Sequence, residues 1–289
     1  MNLSEYIISP KSFTRNLNNI TYTDYFYKLK MLATSRFEWE NLPNGMDEKW
    51  IENFLFNHGQ CVIYNDENRG LMVAECVTNG TVNNYNEPTV ISPAGVDVDS
   101  RPLVVGQDCV LIRNNDDIIP TSFFVQLFAY RLSQVSRTID VNVNAQKTPV
   151  LVVGTEKQKL TLKNVYTQWN GNEPVIFGDK SLDTTELKVL KTDAPIVFPQ
   201  LQEQKQNIWN ECLTFLGINN ANTDKRERLI TDEVAANNVH IDLSAECFLK
   251  SRQKAVEQIN KLYKLNIRVK MREQDIIAGT EEEVQEVEE

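Results

Sequence analysis

Three basic side chains, Lys225, Arg226 and Arg228, stand close together in the stretch GINNANTDKRERLITDEVAANNVH, which covers Gly217–His240. Guanidinium and ammonium groups at this density are the groups with which proteins contact nucleic-acid phosphates. Acidic residues lie among them, so a solvated surface loop with local ion pairs is the favoured interpretation of the stretch taken alone. Its meaning therefore depends on the elements around it.

Signatures of catalysis are missing from this sequence. It contains no GxxxxGK[ST], GxGxxG, GxSxG or HExxH motif. Its two histidines, His58 and His240, have no serine or cysteine partner in the local sequence. The carboxylates Asp232 and Glu233 resemble a Mg²⁺-binding pair, but no second carboxylate cluster completes such a site. We expect no enzyme activity, no cofactor and no metal site, and keep a metal-dependent nuclease as an alternative.

Composition predicts a folded chain outside the membrane. Of its 289 residues, 41% are hydrophobic and 24% are charged, and no apolar run is long enough to span a bilayer. The N-terminus lacks the pattern of a secretory signal, which predicts that the chain stays in the cytoplasm where it is made. Five cysteines without a CxxC pair predict reduced, buried thiols. The net charge of −10, with six acidic residues in the terminal EEEVQEVEE, argues against tight sequence-specific DNA binding.

The N-terminal half is predicted to be helical first and β-rich afterwards. Apolar residues at three-to-four spacing predict a helix over Thr23–Glu40, ended by Pro43, and a short helix follows from Asp47, which can cap it, to Gly59. Short β-rich runs separated by Asn, Asp, Gly and Pro predict a small antiparallel sheet or barrel over Cys61–Arg113.

The second half is predicted to contain two long helices around a small α/β insertion. The first runs from Pro120 to about Lys147, and the second begins at Pro199 and stops at Gly217. Between them, PVLVVG, PVIFG and ELKVLK predict strands and LTLKNVYTQWNG a helix. After a long polar loop, a helix over Asp242–Tyr263 and a strand in IRVKMRE complete the chain.

Several collinear stretches of this sequence carry a family resemblance. They are FEWENLP (37–43), NVNAQKTPVL (142–151), YTQWNGNEPVIF (166–177), LKTDAP (190–195), WNECLTFLGINNAN (209–222), KRERLITDEV (225–234) and FLKSR (248–252). In this order they resemble the upper collar protein, the portal or head-tail connector, of small short-tailed phages of the Picovirinae type.

The resemblance implies a dodecameric ring at one capsid vertex, through which a packaging ATPase drives double-stranded DNA. It implies an α+β fold with a long helical stem, a small α/β clip insertion and a β-rich wing. The expected parts are an N-terminal helical and β-rich wing (1–119), a stem helix (120–147), the clip (148–198), a second stem helix (199–218), a channel loop (219–241), and a C-terminal helix, strand and acidic tail (242–289). The implied partners are further copies of the chain, the ATPase, a lower collar or tail protein and the major capsid protein, with no membrane. The implied location is the head-tail vertex of the virion, and the host cytoplasm during assembly.

The resemblance also implies which residues meet DNA. The long polar loop becomes a channel loop in which Lys225, Arg226 and Arg228 touch phosphates while nearby acids keep each contact weak. Lys191 resembles a family channel lysine. Where the family has a further lysine at the start of the second stem helix, this sequence has Gln200, and Lys205 follows one turn later. The N-terminus has few basic residues, unlike family arms that suit a packaging RNA.

Aromatic residues on the two predicted stem helices leave the mode of assembly open. They are Phe123, Phe124, Phe128, Trp209 and Phe215. Packing on the chain's own sheet would bury part of this set, and contacts between neighbouring subunits of a ring would bury the rest. A structural protein of the tail or an adaptor ring, without a DNA-facing loop, is the runner-up for the function, ahead of the nuclease.

Overall fold

The computed structural model describes residues 10–96, 98–146, 150–152, 187–189, 195–220 and 231–272. They belong to two compact units, which we call the first unit (residues up to 133 together with those from 207 onward) and the second unit (residues 134–206). Both mix helices and strands, so the predicted combination of the two is confirmed. No helix within the described ranges is long and apolar enough to cross a bilayer.

Five helices and nine strands are seen in the described ranges. The helices are α1 (Pro10–Thr34), α2 (Glu48–His58), α3 (Thr121–Gln146), α4 (Phe198–Leu216) and α5 (Thr231–Tyr263). The strands are β1 (Phe37–Glu40), β2 (Gln60–Asp66), β3 (Gly70–Thr78), β4 (Val90–Ala94), β5 (Leu103–Val104), β6 (Cys109–Arg113), β7 (Val150–Val152), β8 (Leu187–Val189) and β9 (Arg268–Met271). The helices predicted from Pro120 and from Pro199 are confirmed as α3 and α4.

Helix α2 begins and ends at the predicted residues. The Asp47 carboxylate accepts a hydrogen bond of 2.9 Å from the backbone N–H of Lys49 and so caps the first turn. At the other end Gly59 adopts a left-handed φ of 75°, and its N–H donates to the carbonyl of Leu55.

The β-rich run forms one five-stranded antiparallel sheet in the order β5-β4-β3-β2-β6. In the middle of the sheet, Ile63 of β2 lies opposite Val73 of β3 and Val110 of β6. One face of the sheet contributes Cys61, Ile63, Val110 and Ile112 to a core shared with α2 and α5, and the other face carries a second apolar cluster. The predicted small antiparallel sheet is therefore confirmed.

The prediction of one helix over Thr23–Glu40 is wrong at its C-terminal end. Helix α1 ends at Thr34, and FEWE forms β1, which pairs with β9 in antiparallel register from Phe37 opposite Met271 to Glu40 opposite Arg268. Phe37 and Trp39 are buried while the alternate residues face Lys270. This two-residue alternation belongs to a strand, and Phe37 falls at helical spacing from Ala33 only by coincidence.

The expected channel loop ends earlier than predicted, because α5 begins at Thr231 rather than near Asp242. Its first residues include Asp232 and Glu233, whose negative charge suits a helix N-terminus, and Ala235 and Ala236, which favour helix. Because this stretch is polar, its apolar spacing did not indicate the helix.

All five cysteines are free thiols, but they are not all buried as predicted. Cys61, Cys109 and Cys212 are buried, Cys76 is partly buried, and Cys247 is exposed on α5. Burial raises the pKa of the Cys76, Cys109 and Cys212 thiols to about 12 and raises that of Cys61 as well.

In the second unit, the strands predicted in PVLVVG and ELKVLK pair as β7 and β8 in antiparallel register. Asn142 of α3 binds the chain ahead of α4, because its side-chain amide donates to the carbonyl of Pro195 and its oxygen accepts from the N–H of Val197. The helix predicted in LTLKNVYTQWNG, the strand predicted in PVIFG and the acidic tail lie outside the described residues.

Candidate functional site

Of the five residues predicted to contact DNA, the structure describes one. Lys205 lies in α4, and its side chain is half-buried. Within the described ranges no carboxylate forms an ion pair with its ammonium group. Lys191, Lys225, Arg226 and Arg228 lie outside the described residues.

The structure does describe the point at which the chain leaves α4 toward the three basic residues of the predicted loop. We call Gly217–Asn220 the exit. The N–H of Ile218 donates to the carbonyl of Leu213 at 2.9 Å, and the N–H of Gly217 donates to that of Thr214 at 3.0 Å. This pair of bonds is a Schellman motif, which ends a helix at a residue of left-handed conformation. Gly217 has that conformation, with φ of 71°.

Gly217 also allows α4 to approach α5 closely. A Cβ atom at this position would lie 2.6 Å from both Cα and Cβ of Ala245. One residue earlier on α5, the Ser244 hydroxyl donates a 2.6 Å hydrogen bond to the carbonyl of Phe215. The exit is therefore fixed against the helix that resumes the chain after the predicted loop.

A second set of bonds folds the exit back along α4. The side-chain amide of Asn220 donates to the carbonyl of Asn210 at 3.0 Å and to the hydroxyl of Thr214 at 2.9 Å. Because Asn220 directly precedes residues 221–230, the last described residue before the basic cluster is held in place.

Arg36 also binds the C-terminal end of α4. Its Nη1 donates to the carbonyl of Leu216 at 2.6 Å, and its Nε donates to the carbonyl of Ala33 in the last turn of α1 at 2.9 Å. Two helix C-termini thus point their carbonyl groups at one cation, an arrangement that favours the positive charge. Burial, followed by the nearby positive charge of Arg252, lowers the pKa of Arg36.

Arg252 of α5 occupies the centre of the same core and is 1% exposed. Its Nε and Nη2 donate to the two oxygens of Glu52 on α2 at 2.8 and 2.7 Å, a two-bond arrangement that fixes geometry as well as charge. Its Nη1 donates to the carbonyls of Phe248 and Asn114. The guanidinium lies 4.0 Å from the ring centre of Phe37.

Neighbouring side chains extend this network to β1 and to the start of α3. The indole N–H of Trp39 donates to Glu52 at 3.0 Å. The amide of Asn114 donates to the hydroxyl of Thr121, the first residue of α3, at 2.9 Å. Arg252 and Glu52 therefore join α2, α5, β1 and the segment that leads into α3.

Sequence reasoning missed Arg36, Glu52 and Arg252. A signal for two of them was present, since Arg36 directly precedes the family-like stretch FEWENLP and Arg252 ends FLKSR. The structure packs Phe37 of the first stretch and Phe248 of the second around the two guanidinium groups. These stretches are thus parts of one buried site.

Among the described residues no group of three or more His, Cys, Asp or Glu is placed to hold a metal ion. The side chains of Asp232 and Glu233 lie outside the description, although both residues belong to the first turn of α5. The described contacts anchor the chain segment at the end of α4.

Comparison with known families identifies the class of protein. Residues 7–277 match the family described as Phage Connector (GP10). The chain belongs to the phage connector family. The head-tail connector, or portal, function predicted from the resemblance is therefore confirmed, and this connector is a structural protein of a bacteriophage particle.

One solved structure supports the fold, and others are more distantly similar. A chain in the structure of the portal and tail of native bacteriophage P68 matches with a TM-score of 0.52 at 13% identity, over 95% of this chain and 92% of that one. A portal protein of the HK97 family from Corynebacterium diphtheriae matches with a TM-score of 0.45 at 10% identity, over 86% of this chain and 91% of that one. A chain from the virion of a native gene transfer agent particle gives 0.44 at 11% identity, over 87% and 80%.

Proposed function

We propose that this connector forms a dodecameric ring whose axial channel passes double-stranded DNA during packaging, retention and ejection. In this proposal α3 and α4 are the stem helices, residues 148–198 are the clip, and residues 1–119 are the wing. The membership of nearly the whole chain in the connector family supports the assignment. The finer class, a connector of the Picovirinae type, is part of the proposal.

The observation that supports contact with DNA is the fixed position of the exit, directly ahead of the basic cluster. Gly217, Asn220 and Arg36 hold the end of α4, and only residues 221–230 separate the exit from α5. Lys225, Arg226 and Arg228 all lie in that short interval. In this proposal the basic segment starts from a fixed residue in every subunit, which suits repeated contact with a duplex moving past it.

Weak contact at each subunit is the second element of the proposal. Affinity from phosphate neutralisation grows with the number of basic contacts, and ring symmetry repeats every contact in each subunit. Asp224, Glu227, Asp232 and Glu233 reduce the net positive charge of the segment, so the duplex is held without being stopped. Lys205, whose charge has no carboxylate partner among the described residues, and Lys191 would add contacts along the channel.

The remaining partners follow from the same role. The connector meets the major capsid protein at the vertex, the packaging ATPase during filling, and a lower collar or tail protein afterwards. It is assembled in the host cytoplasm and performs no catalysis of its own.

A charge-reversed segment tests the proposal. Heads are assembled with Lys225→Glu, Arg226→Glu and Arg228→Glu in one chain, and the DNA retained after packaging is measured by nuclease protection. We expect normal rings and a loss of retained DNA of about tenfold, since three phosphate contacts are lost per subunit. Lys261→Glu, an exposed change near the far end of α5, is the matched control. Full retention by the triple variant would contradict the DNA contact.

A further inference from the structure

The first unit has two exposed apolar stripes, one on α3 and one on α1. The α3 stripe consists of Phe123, Leu127 and Tyr130, which are 67%, 58% and 56% exposed. The α1 stripe consists of Tyr27 and Met31, which are 49% and 62% exposed. Residues at i, i+4 and i+7 lie on one side of a helix, so each set forms a continuous strip.

Of the aromatic residues predicted on the two stem helices, the chain packs all but one against its own helices, and the remaining one belongs to the α3 stripe. Phe124 and Phe128 of α3 pack against Phe215 of α4, with ring centres 4.7 and 6.2 Å apart. Trp209 packs against Tyr25 of α1 at 6.5 Å. Phe123 alone among the five predicted aromatics keeps most of its surface in solvent.

Helix α4 lies between the helices that carry the stripes. It contacts α1 through Trp209 and α3 through Phe215, which are six residues apart and therefore point about 120° apart around the helix. On α1, Tyr27 and Met31 point about 160° and about 120° away from Tyr25, which faces α4. On α3, Phe123 points about 100° away from Phe124, which faces α4. The α1 stripe therefore faces away from α4, and the α3 stripe lies to one side of its contact with α4.

Most charged side chains beside the two stripes are paired in the part of the chain that the structure describes. The α3 stripe is interrupted only by neutral residues, and Arg131 beyond it pairs with Glu211. On α1, Asp24 and Lys28, which share the exposed side with Tyr27, pair with each other at 2.7 Å. Lys30, next to Met31, has no carboxylate partner among the described residues, but its Nζ lies 5.4 Å from the ring centre of Phe56. Bringing the two surfaces together would therefore bury few unpaired charges, which limits the electrostatic penalty for contact.

We propose that the α3 stripe of one subunit packs on the α1 stripe of the next subunit around the ring. This inference rests on the ring of the proposed function and assigns the surfaces that close it. A ring built from one repeated contact requires two different surfaces on every subunit, which is what the two stripes supply. The aromatic side chains Phe123, Tyr130 and Tyr27 are of the kind that form the centre of such contacts.

Charge substitutions test the pairing in the full-length chain. Met31→Lys and Leu127→Glu are made separately and together, and the oligomer size is measured by analytical ultracentrifugation. Each single variant is expected to shift the ring dissociation midpoint at least tenfold in concentration, and the double variant is expected to recover most of that shift. Val77→Glu, an exposed change on the sheet, is the matched control and should leave the rings unchanged.

A crosslinking experiment gives an independent measurement. In a Cys247→Ser background, Met31→Cys and Leu127→Cys are introduced singly and together and treated with a short bismaleimide. The double variant should give a ladder of covalent oligomers up to the ring, and neither single variant should exceed background. Crosslinking of a single variant to itself, or rings without a ladder in the double variant, would overturn the pairing.

The two proposals fail in different ways. A wild-type chain that stays monomeric at assembly concentrations contradicts the ring itself. Intact wild-type rings that survive both charge variants leave the ring standing and overturn the assignment of the stripes.

Discussion

Arg252 and Arg36 are both buried in the first unit, yet different groups compensate their charges. Arg252 meets a carboxylate, Glu52, that is 2% exposed and binds it through two nitrogens. Arg36 meets the carbonyl groups of Leu216 and Ala33 at the ends of two helices. A full opposite charge makes the first site a joint that depends on both partners, whereas partial charges make the second site a cap that positions the chain.

The comparison is tested first by removing the charge at the joint. Arg252→Met leaves Glu52 buried without its partner, and we expect a loss of about 3–5 kcal/mol in the free energy of unfolding. Urea denaturation of the full chain measures it. Adding Glu52→Gln, which keeps an acceptor for Trp39, should recover at least half of the loss. No recovery in the double variant would show that packing, rather than charge pairing, dominates this site.

Gly217 is the second target, since it lies beside the Arg36 cap. Gly217→Ala places a Cβ against Ala245 at a position with positive φ, and we expect a loss of about 2–4 kcal/mol from overpacking and backbone strain. Gly45→Ala is the control, because Gly45 also has positive φ but has no atom within 4 Å of the added Cβ. Equal losses in the two variants would remove the close approach of α4 and α5 as the cause.

Arg36→Met is expected to cost less than Arg252→Met. The variant leaves two carbonyls without their donor but also removes a buried charge that has no carboxylate of its own, so we expect a loss of about 1–2 kcal/mol. The backbone next to Arg36 should be affected more than the global stability. Hydrogen exchange at the amides of Gly217 and Ile218 should therefore become faster. A loss as large as that of Arg252→Met would contradict the difference between the two sites.

The smallest expected effect concerns Cys212, whose buried thiol lies near Arg36. Its pKa is raised by burial to about 12, so the folded chain keeps the proton that the unfolded chain releases above a pKa of about 9. The stability that the neutral thiol contributes is present below pH 9 and is lost as the pH rises toward 12. The stability difference between wild type and Cys212→Ala should therefore shrink by about 1 kcal/mol from pH 8 to pH 10. Cys247→Ala is the control at the exposed thiol, and an unchanged difference for Cys212→Ala would contradict the assignment.

Local signals explain which parts of the fold were predicted. Helix α2 could be predicted because neighbouring residues provide its cap at Asp47 and its stop at Gly59. The five-stranded sheet could be predicted because each β-rich run is recognisable from its own residues. Strand β1 depends on pairing with β9, more than two hundred residues later, and four residues of FEWE carry too short a pattern to reveal it.

The buried arginines were missed for a related reason. From sequence alone an arginine is expected at the surface, because the partner that would bury it is not known. Glu52 and Arg252 are separated by 200 residues, so their pairing is not evident in the sequence. The basic residues of the predicted loop were easier to notice because they adjoin one another in sequence. Their prediction as DNA contacts stays a prediction, whereas the residues that fix the exit became visible only from contacts between α1, α4 and α5.

Helix α5 has mechanical consequences for the loop that precedes it. It runs from Thr231 to Tyr263 without a proline or glycine, so it behaves as one stiff rod. Two contacts fix this helix, the pair of Arg252 with Glu52 and the close approach of Ala245 to Gly217, and about 20 Å of helix separate Thr231 from Ala245. A force applied at Thr231 would therefore be transmitted along α5 to these two contacts.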